Sequence, residues 1–175
     1  MGRLLAERGL EPVYGRGNVG LMDVVTDVCR AVGGRVIGVI PEALVEREIA
    51  GRAWVRGNLT RREVVDSMPT RKARMAEPAD GFIALPGGLG TFEELFEILT
   101  WAQPGFHRKA IGLLDVSGYY DPFLVLCDRA VAEGFLRLDD RGRLLAASDP
   151  ATLLETLTAY RPESVTVRIQ KEKDL

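Results

Sequence analysis

The chain has little of what announces a metalloprotein or a cross-linked, secreted domain. His107 is its single histidine, which excludes a metal site built from several imidazoles. The two cysteines, Cys29 and Cys127, form no CxxC pair and lie in apolar, helix-like surroundings. They read as small hydrophobes in a reducing compartment. No apolar run reaches the roughly 18 residues of a membrane span, and no secretory leader is expected from the opening residues. Neither sign of charge dominates. The formal net charge of -2 argues against a dedicated nucleic-acid binder, which concentrates positive charge against phosphates. Arg56, Arg61 and Arg62 are followed at once by Glu63 and Asp66, the pattern of a solvated face rather than a polyanion site. The expectation is a cytoplasmic protein without nucleic-acid or membrane partners.

What is present is ordinary globular material. A sequence of 175 residues, 46% hydrophobic and 27% charged, fits one domain with an adequate core. Short β-rich apolar runs alternate with longer helical patterns, which predicts an α/β fold: a Rossmann-like three-layer sandwich with a mostly parallel sheet. Helices are expected at 2–8 (closed by Gly9), 21–32, from Pro69 to before Pro78, after Thr91, at 122–133 and at 152–159, with 44–49 as a short one. Strands are expected at 10–14, 35–40, 62–65, 81–85 and 111–116. Residues 1–162 read as one nucleotide-binding domain, and 163–175 as a charged tail with a candidate edge strand at 165–169.

The chemistry concentrates in a glycine turn. Pro86-Gly87-Gly88-Leu89-Gly90-Thr91 follows a buried-looking strand and precedes a helix whose apolar face is Phe92, Leu95, Phe96, Leu99 and Ala102. Glycine lets a ligand approach the backbone, and a helix start offers unpaired N–H groups and a positive dipole end, which suit a phosphate. The pattern is neither the dinucleotide fingerprint nor a Walker loop. Glu94 has two readings. Thr91-Phe92-Glu93-Glu94 matches a capping box, with Glu94 reaching back to the Thr91 N–H. Alternatively, its carboxylate faces a ligand cleft and works on a sugar ring or a water. Arg71 follows another strand end and offers a planar donor fork for phosphate, or else is a solvated surface arginine. Gly15–Gly20 is a second glycine-rich turn, where Asn18 either lines the cleft or holds its own backbone. Trp101, Gln103 and His107 read more readily as packing than as catalysis.

Together these residues resemble the LOG-like family, the cytokinin riboside 5'-monophosphate phosphoribohydrolases long labelled lysine decarboxylases. The family's PGGxGTxxE stands intact from Pro86 to Glu94, and Met68-Pro69-Thr70-Arg71-Lys72 matches its arginine-lysine motif. Gly15-Arg16-Gly17-Asn18-Val19-Gly20-Leu21-Met22-Asp23 matches its glycine-rich element. Pro69 stands where the family has histidine, and Arg16 and Asp23 where it has glycine.

The resemblance implies cleavage of the N-glycosidic bond of adenine or N6-substituted adenine nucleoside 5'-monophosphates by a homodimer or higher homo-oligomer, without a cofactor. It implies Arg71 and Glu94 as the catalytic pair. Gly87, Gly88, Gly90 and Thr91 would hold the 5'-phosphate, with Gly17 and Asn18 nearby, and Met68 and Lys72 would join Arg71 on the nucleotide. Nothing in the sequence suggests a pyridoxal phosphate site. The rival reading is a non-catalytic nucleotide or molybdenum-cofactor carrier of the same fold group, favoured by Arg16 and Pro69. The sequence also opens inside the first helix, without the strand the family places before it, so the natural product is expected to start upstream of Met1.

Overall fold

The computed structural model describes residues 1–15, 20–45 and 60–162. Arg16, Gly17, Asn18, the remainder of the expected 44–49 helix beyond residue 45, Arg56 and the candidate strand at 165–169 lie outside the described residues. The chain divides into two compact units, Met1–Ala79 and Asp80–Leu175.

The first unit carries helices α1 (Gly2–Glu7), α2 (Leu21–Ala31) and α3 (Met68–Ala76). Its strands β1 (Val13–Gly15), β2 (Ile37–Pro41) and β3 (Arg61–Val65) form a parallel sheet in the order β1-β2-β3. Helix α1 ends where Gly9 takes φ +67°, a left-handed cap in which the Leu10 N–H reaches the Leu5 carbonyl at 2.9 Å. Strand β1 starts later than the expected residue 10. Pro12 lacks an N–H, and the ladder opens with the Ile37 N–H donating to the Pro12 carbonyl at 3.0 Å. Val39 and Ile40 are buried, as a continuous apolar run in a parallel sheet requires. Tyr14, Cys29 and Val36 form the core under Ala6.

The second unit carries β4 (Gly81–Ala84), α4 (Leu89–Ala102), β5 (Ala110–Leu114), α5 (Asp121–Ala132), α6 (Leu138–Arg141), β6 (Leu144–Ala147) and α7 (Pro150–Ala159). Its strands are parallel in the order β4-β5-β6. Strand β5 is buried throughout and alternates between two helical layers. Ile111 and Leu113 pack with Leu95, Ala102, Tyr120 and Cys127. Gly112 faces α7 so closely that a Cβ there would come within 3.1 Å of Leu153 and Leu157. Strand β6 is a correction to the expected pattern, in which no strand follows residue 116 within the described chain. Helix α7 begins at Pro150 rather than Thr152, because Asp149 caps it by accepting the Thr152 N–H at 2.8 Å.

Both units are parallel α/β arrangements flanked by helices, and the fold class is Rossmann-like. Among the described residues no helix is long and apolar enough to cross a membrane.

Candidate functional site

Helix α4 begins inside the glycine turn, not after it. Gly88 is its N-cap in extended backbone and has no side chain with which to cap, and the Phe92 N–H donates to the Gly88 carbonyl at 3.1 Å. The N–H groups of Leu89, Gly90 and Thr91 therefore have no carbonyl within the helix to bond. The three glycines differ in what requires them. At Gly87, a Cβ would fall 2.2 Å from the Thr91 hydroxyl and 3.0 Å from its Cβ, so Thr91 packs into the space that glycine leaves. At Gly88 and Gly90, a Cβ would meet no described atom within 4 Å, and neither residue has a positive φ. Nothing described in the fold demands glycine at these two positions.

This helix start corrects the capping-box reading of Glu94. Thr91 is the third residue of α4 rather than its cap, which places Glu94 well inside the helix. The carboxylate is half-buried, nearly one turn beyond Thr91.

A loop from the end of β5 grips the turn from behind. The Tyr120 O–H donates to the Leu85 carbonyl at 2.6 Å, and the Tyr119 O–H donates to the Gly87 carbonyl. The Asp115 carboxylate accepts the Tyr120 N–H at 2.6 Å and fixes the loop. Burial pushes the Tyr120 hydroxyl up to about 12, with Tyr119 and Asp115 adding to the shift, so it remains a donor. The sequence reading missed these three residues. The available signal was a tyrosine pair just beyond a strand end, but its partners are 32 and 35 residues away in the chain.

His107 is a packing residue. A carbonyl only accepts, so its 2.8 Å contact to the Ile98 carbonyl is an Nε2–H donation, and Nδ1 accepts the Lys109 N–H at 3.2 Å. Desolvation holds this imidazole below the usual histidine range. Its ring meets Phe82 edge-on at 5.2 Å.

In the first unit, Ser67 caps α3 by accepting the Thr70 N–H at 3.2 Å, and Pro69 sits in the first turn where a missing N–H is harmless. Arg71 follows one turn in, with its N–H on the Ser67 carbonyl at 3.0 Å. It is only 7% exposed, which removes the solvated-surface reading. Its guanidinium lies against Gly15 at the carboxyl end of β1, the end of a parallel sheet where ligands bind. Met68 is exposed and Lys72 half-buried on the same helix. Glu63 pairs with Arg61 at 2.9 Å and with Arg74, so this charge run is an internally paired surface. Arg71, Met68 and Lys72 thus belong to the first unit, and Gly87, Gly88, Gly90, Thr91 and Glu94 to the second.

Among the described residues no cluster of histidine, cysteine, aspartate or glutamate side chains could hold a metal ion. The second unit offers backbone donors at a helix start and a carboxylate on that helix, and the first unit offers a buried arginine at a strand end.

A family model described as "Possible lysine decarboxylase" matches residues 22–157. The chain is 48% identical over 163 residues to the cytokinin riboside 5'-monophosphate phosphoribohydrolase LOG of Oryza sativa subsp. japonica, covering 93% of this chain and 65% of that protein. It is 46% identical over 163 residues to a cytokinin riboside 5'-monophosphate phosphoribohydrolase of Arabidopsis thaliana, covering 93% and 73%. The chain therefore spans just under two thirds of the rice relative's length. The family model covers most of the chain, identity to the relatives approaches one half, and the intact Pro86–Glu94 turn opens α4. On those grounds the chain belongs to the LOG-like family of phosphoribohydrolases.

Proposed function

We propose that this protein hydrolyses the N-glycosidic bond of purine nucleoside 5'-monophosphates carrying adenine or an N6-substituted adenine. The products are the free base and ribose 5-phosphate. The observation that carries this reading is the pair Gly88 and Gly90, glycines at the start of a helix where a side chain would meet no described atom within 4 Å. A phosphate seated there meets the N–H groups of the first turn and the positive end of the helix dipole. The names of the relatives support the same reaction.

In the reaction, the bond from C1′ to the base nitrogen breaks as positive charge builds on the ribose. Glu94 is the proposed catalytic carboxylate: it stabilises that charge and orients a water, whose oxygen bonds C1′. One proton of that water is lost and the base leaves protonated, so atoms and charge balance. Arg71 is the second proposed catalytic residue and fixes the nucleotide through its donor fork. Met68 and Lys72 assist it, and Gly17 and Asn18 stand near the 5'-phosphate. Gly87 and Thr91 complete the phosphate turn. The proposed assembly is a homodimer or higher homo-oligomer. A cytoplasmic location would suit the free, buried Cys29 and Cys127. Incubation with AMP and with N6-isopentenyl AMP, followed by an assay for free base, tests the reaction. Tight nucleotide binding without base release would establish the rival carrier role instead.

A further inference from the structure

We infer that Tyr119 is a positioning residue for phosphate recognition: through the Gly87 carbonyl it sets the direction of the Gly88 N–H. This rests on the phosphate reading of the glycine turn given above.

In a planar trans peptide the carbonyl and the following N–H point in opposite directions. Holding the Gly87 carbonyl therefore aims the Gly88 N–H away from Tyr119. The peptide between Gly87 and Gly88 has a Cβ on neither side, so it is the one least restrained by sterics and most free to flip. The Tyr119 hydroxyl grips that peptide. One residue pair earlier, the Tyr120 hydroxyl holds the Leu85 carbonyl, so the turn is pinned at two points by one loop.

The loop is built to deliver those hydroxyls. Asp115 accepts the Tyr120 N–H at 2.6 Å, and the Tyr119 N–H donates to the Val116 carbonyl at 3.2 Å. Ser117 has φ +56° and Gly118 φ +72°. Ser117 is the single non-glycine residue with positive φ among those described, and such backbone persists only where its surroundings fix it.

Packing alone does not account for Tyr119. The residue is 42% exposed, against 0% for Tyr120. The ring lies parallel to that of Phe92, with centroids 6.5 Å apart, on the first turns of the helix that would hold the phosphate. A phenylalanine would keep that stacking and lose only the directed donor.

The test is Tyr119→Phe, made in the natural chain and in a Glu94→Gln chain that leaves nucleotide uncleaved. Dissociation constants for AMP and adenosine are measured in the Glu94→Gln pair, and KM, kcat and Tm in the natural pair. The expected result is AMP binding weakened about tenfold, as for loss of one aligned donor, with adenosine little changed. KM should rise more than kcat falls, and Tm should hold within about 2 °C. An unchanged ratio of AMP to adenosine affinity would overturn the inference. So would an equal weakening of both ligands accompanied by a lower Tm, the mark of a merely structural tyrosine. If the parent chain with Tyr119 intact binds AMP no better than adenosine, the phosphate reading itself fails and takes this inference with it.

Discussion

The guanidinium of Arg71 occupies the space that a side chain on Gly15 would need: a Cβ built there falls 1.4 Å from Nη2. The last residue of β1 and the first turns of α3 are thereby linked, and the arginine's place depends on a missing methyl. Gly15→Ala should displace the guanidinium, and the end of a flexible side chain moves at little cost. We expect turnover to fall about tenfold or more, because misplacement of a positioning group is expensive, while Tm falls by only about a few degrees. Arg71→Lys should rescue little, since an ammonium cannot reproduce the two-pronged donor. Full activity in either variant would leave a diffuse positive charge as the sole requirement.

Glu94→Gln removes charge and keeps shape. Base release should drop by about a hundredfold or more, with AMP affinity retained within about threefold. The loss of about 1 kcal/mol that accompanies removal of a helix cap is not expected, since Gly88 and not Thr91 begins the helix. Unchanged turnover would end the catalytic assignment, and a cap-sized loss of stability would restore the structural one.

The glycines of the turn should separate stability from activity. Gly90→Ala places a better helix former within α4, and up to about 1 kcal/mol of stabilisation is expected, less this near the end. Gly88→Ala should leave the fold close to neutral. Both should raise KM for the nucleotide sharply. Gly87→Ala should behave differently and lower Tm, because its methyl meets Thr91. Chemical denaturation and initial-rate kinetics on the three variants check the pattern, which a common loss of stability would contradict.

His107 makes the fold sensitive to mild acid. Its imidazole is held below the ordinary histidine range, chiefly by desolvation, with Lys109 and Arg143 adding to the shift against the Ile98 hydrogen bond. Below the unfolded value of about 6.5 the unfolded chain binds a proton that the folded chain resists. The stability contribution is therefore complete above that pH and is lost as pH falls toward the depressed folded value. Protonation also converts Nδ1 from the acceptor of the Lys109 N–H into a donor. Tm measured from pH 7.5 down to 5 should fall more steeply in the natural chain than in His107→Gln. Parallel curves would remove His107 as the cause.

Much of this was legible in local sequence, where local physics decides. Gly9 ends α1, Ser67 caps α3, and the valine and isoleucine run of β2 is buried, all as the residue types predict. Leu144–Ala147 was not legible as a strand: two leucines and two alanines carry no β-branched or aromatic signal, and the segment is a strand because β5 offers it a partner edge. The start of α4 was misplaced for a related reason. Thr91 is a strong capping residue by type, yet Gly88 takes the extended backbone and Thr91 turns inward against Gly87. Arg71 and Glu94 stood out by motif, but sequence alone could not settle whether they were surface or cap residues. Burial answered the first and the helix boundary the second. Tyr119 and Tyr120 act on carbonyls more than thirty residues away, beyond the reach of any local pattern.

The open space beside Gly88 and Gly90 has a consequence for how such a chain would age. No described atom opposes a methyl at either position, and helix propensity favours one at Gly90. In a lineage released from binding its nucleotide, these two codons would be among the first to drift, long before Gly87, which the Thr91 side chain holds in place. A descendant with alanine at 88 and 90 but glycine at 87 would keep the fold and record a lost ligand.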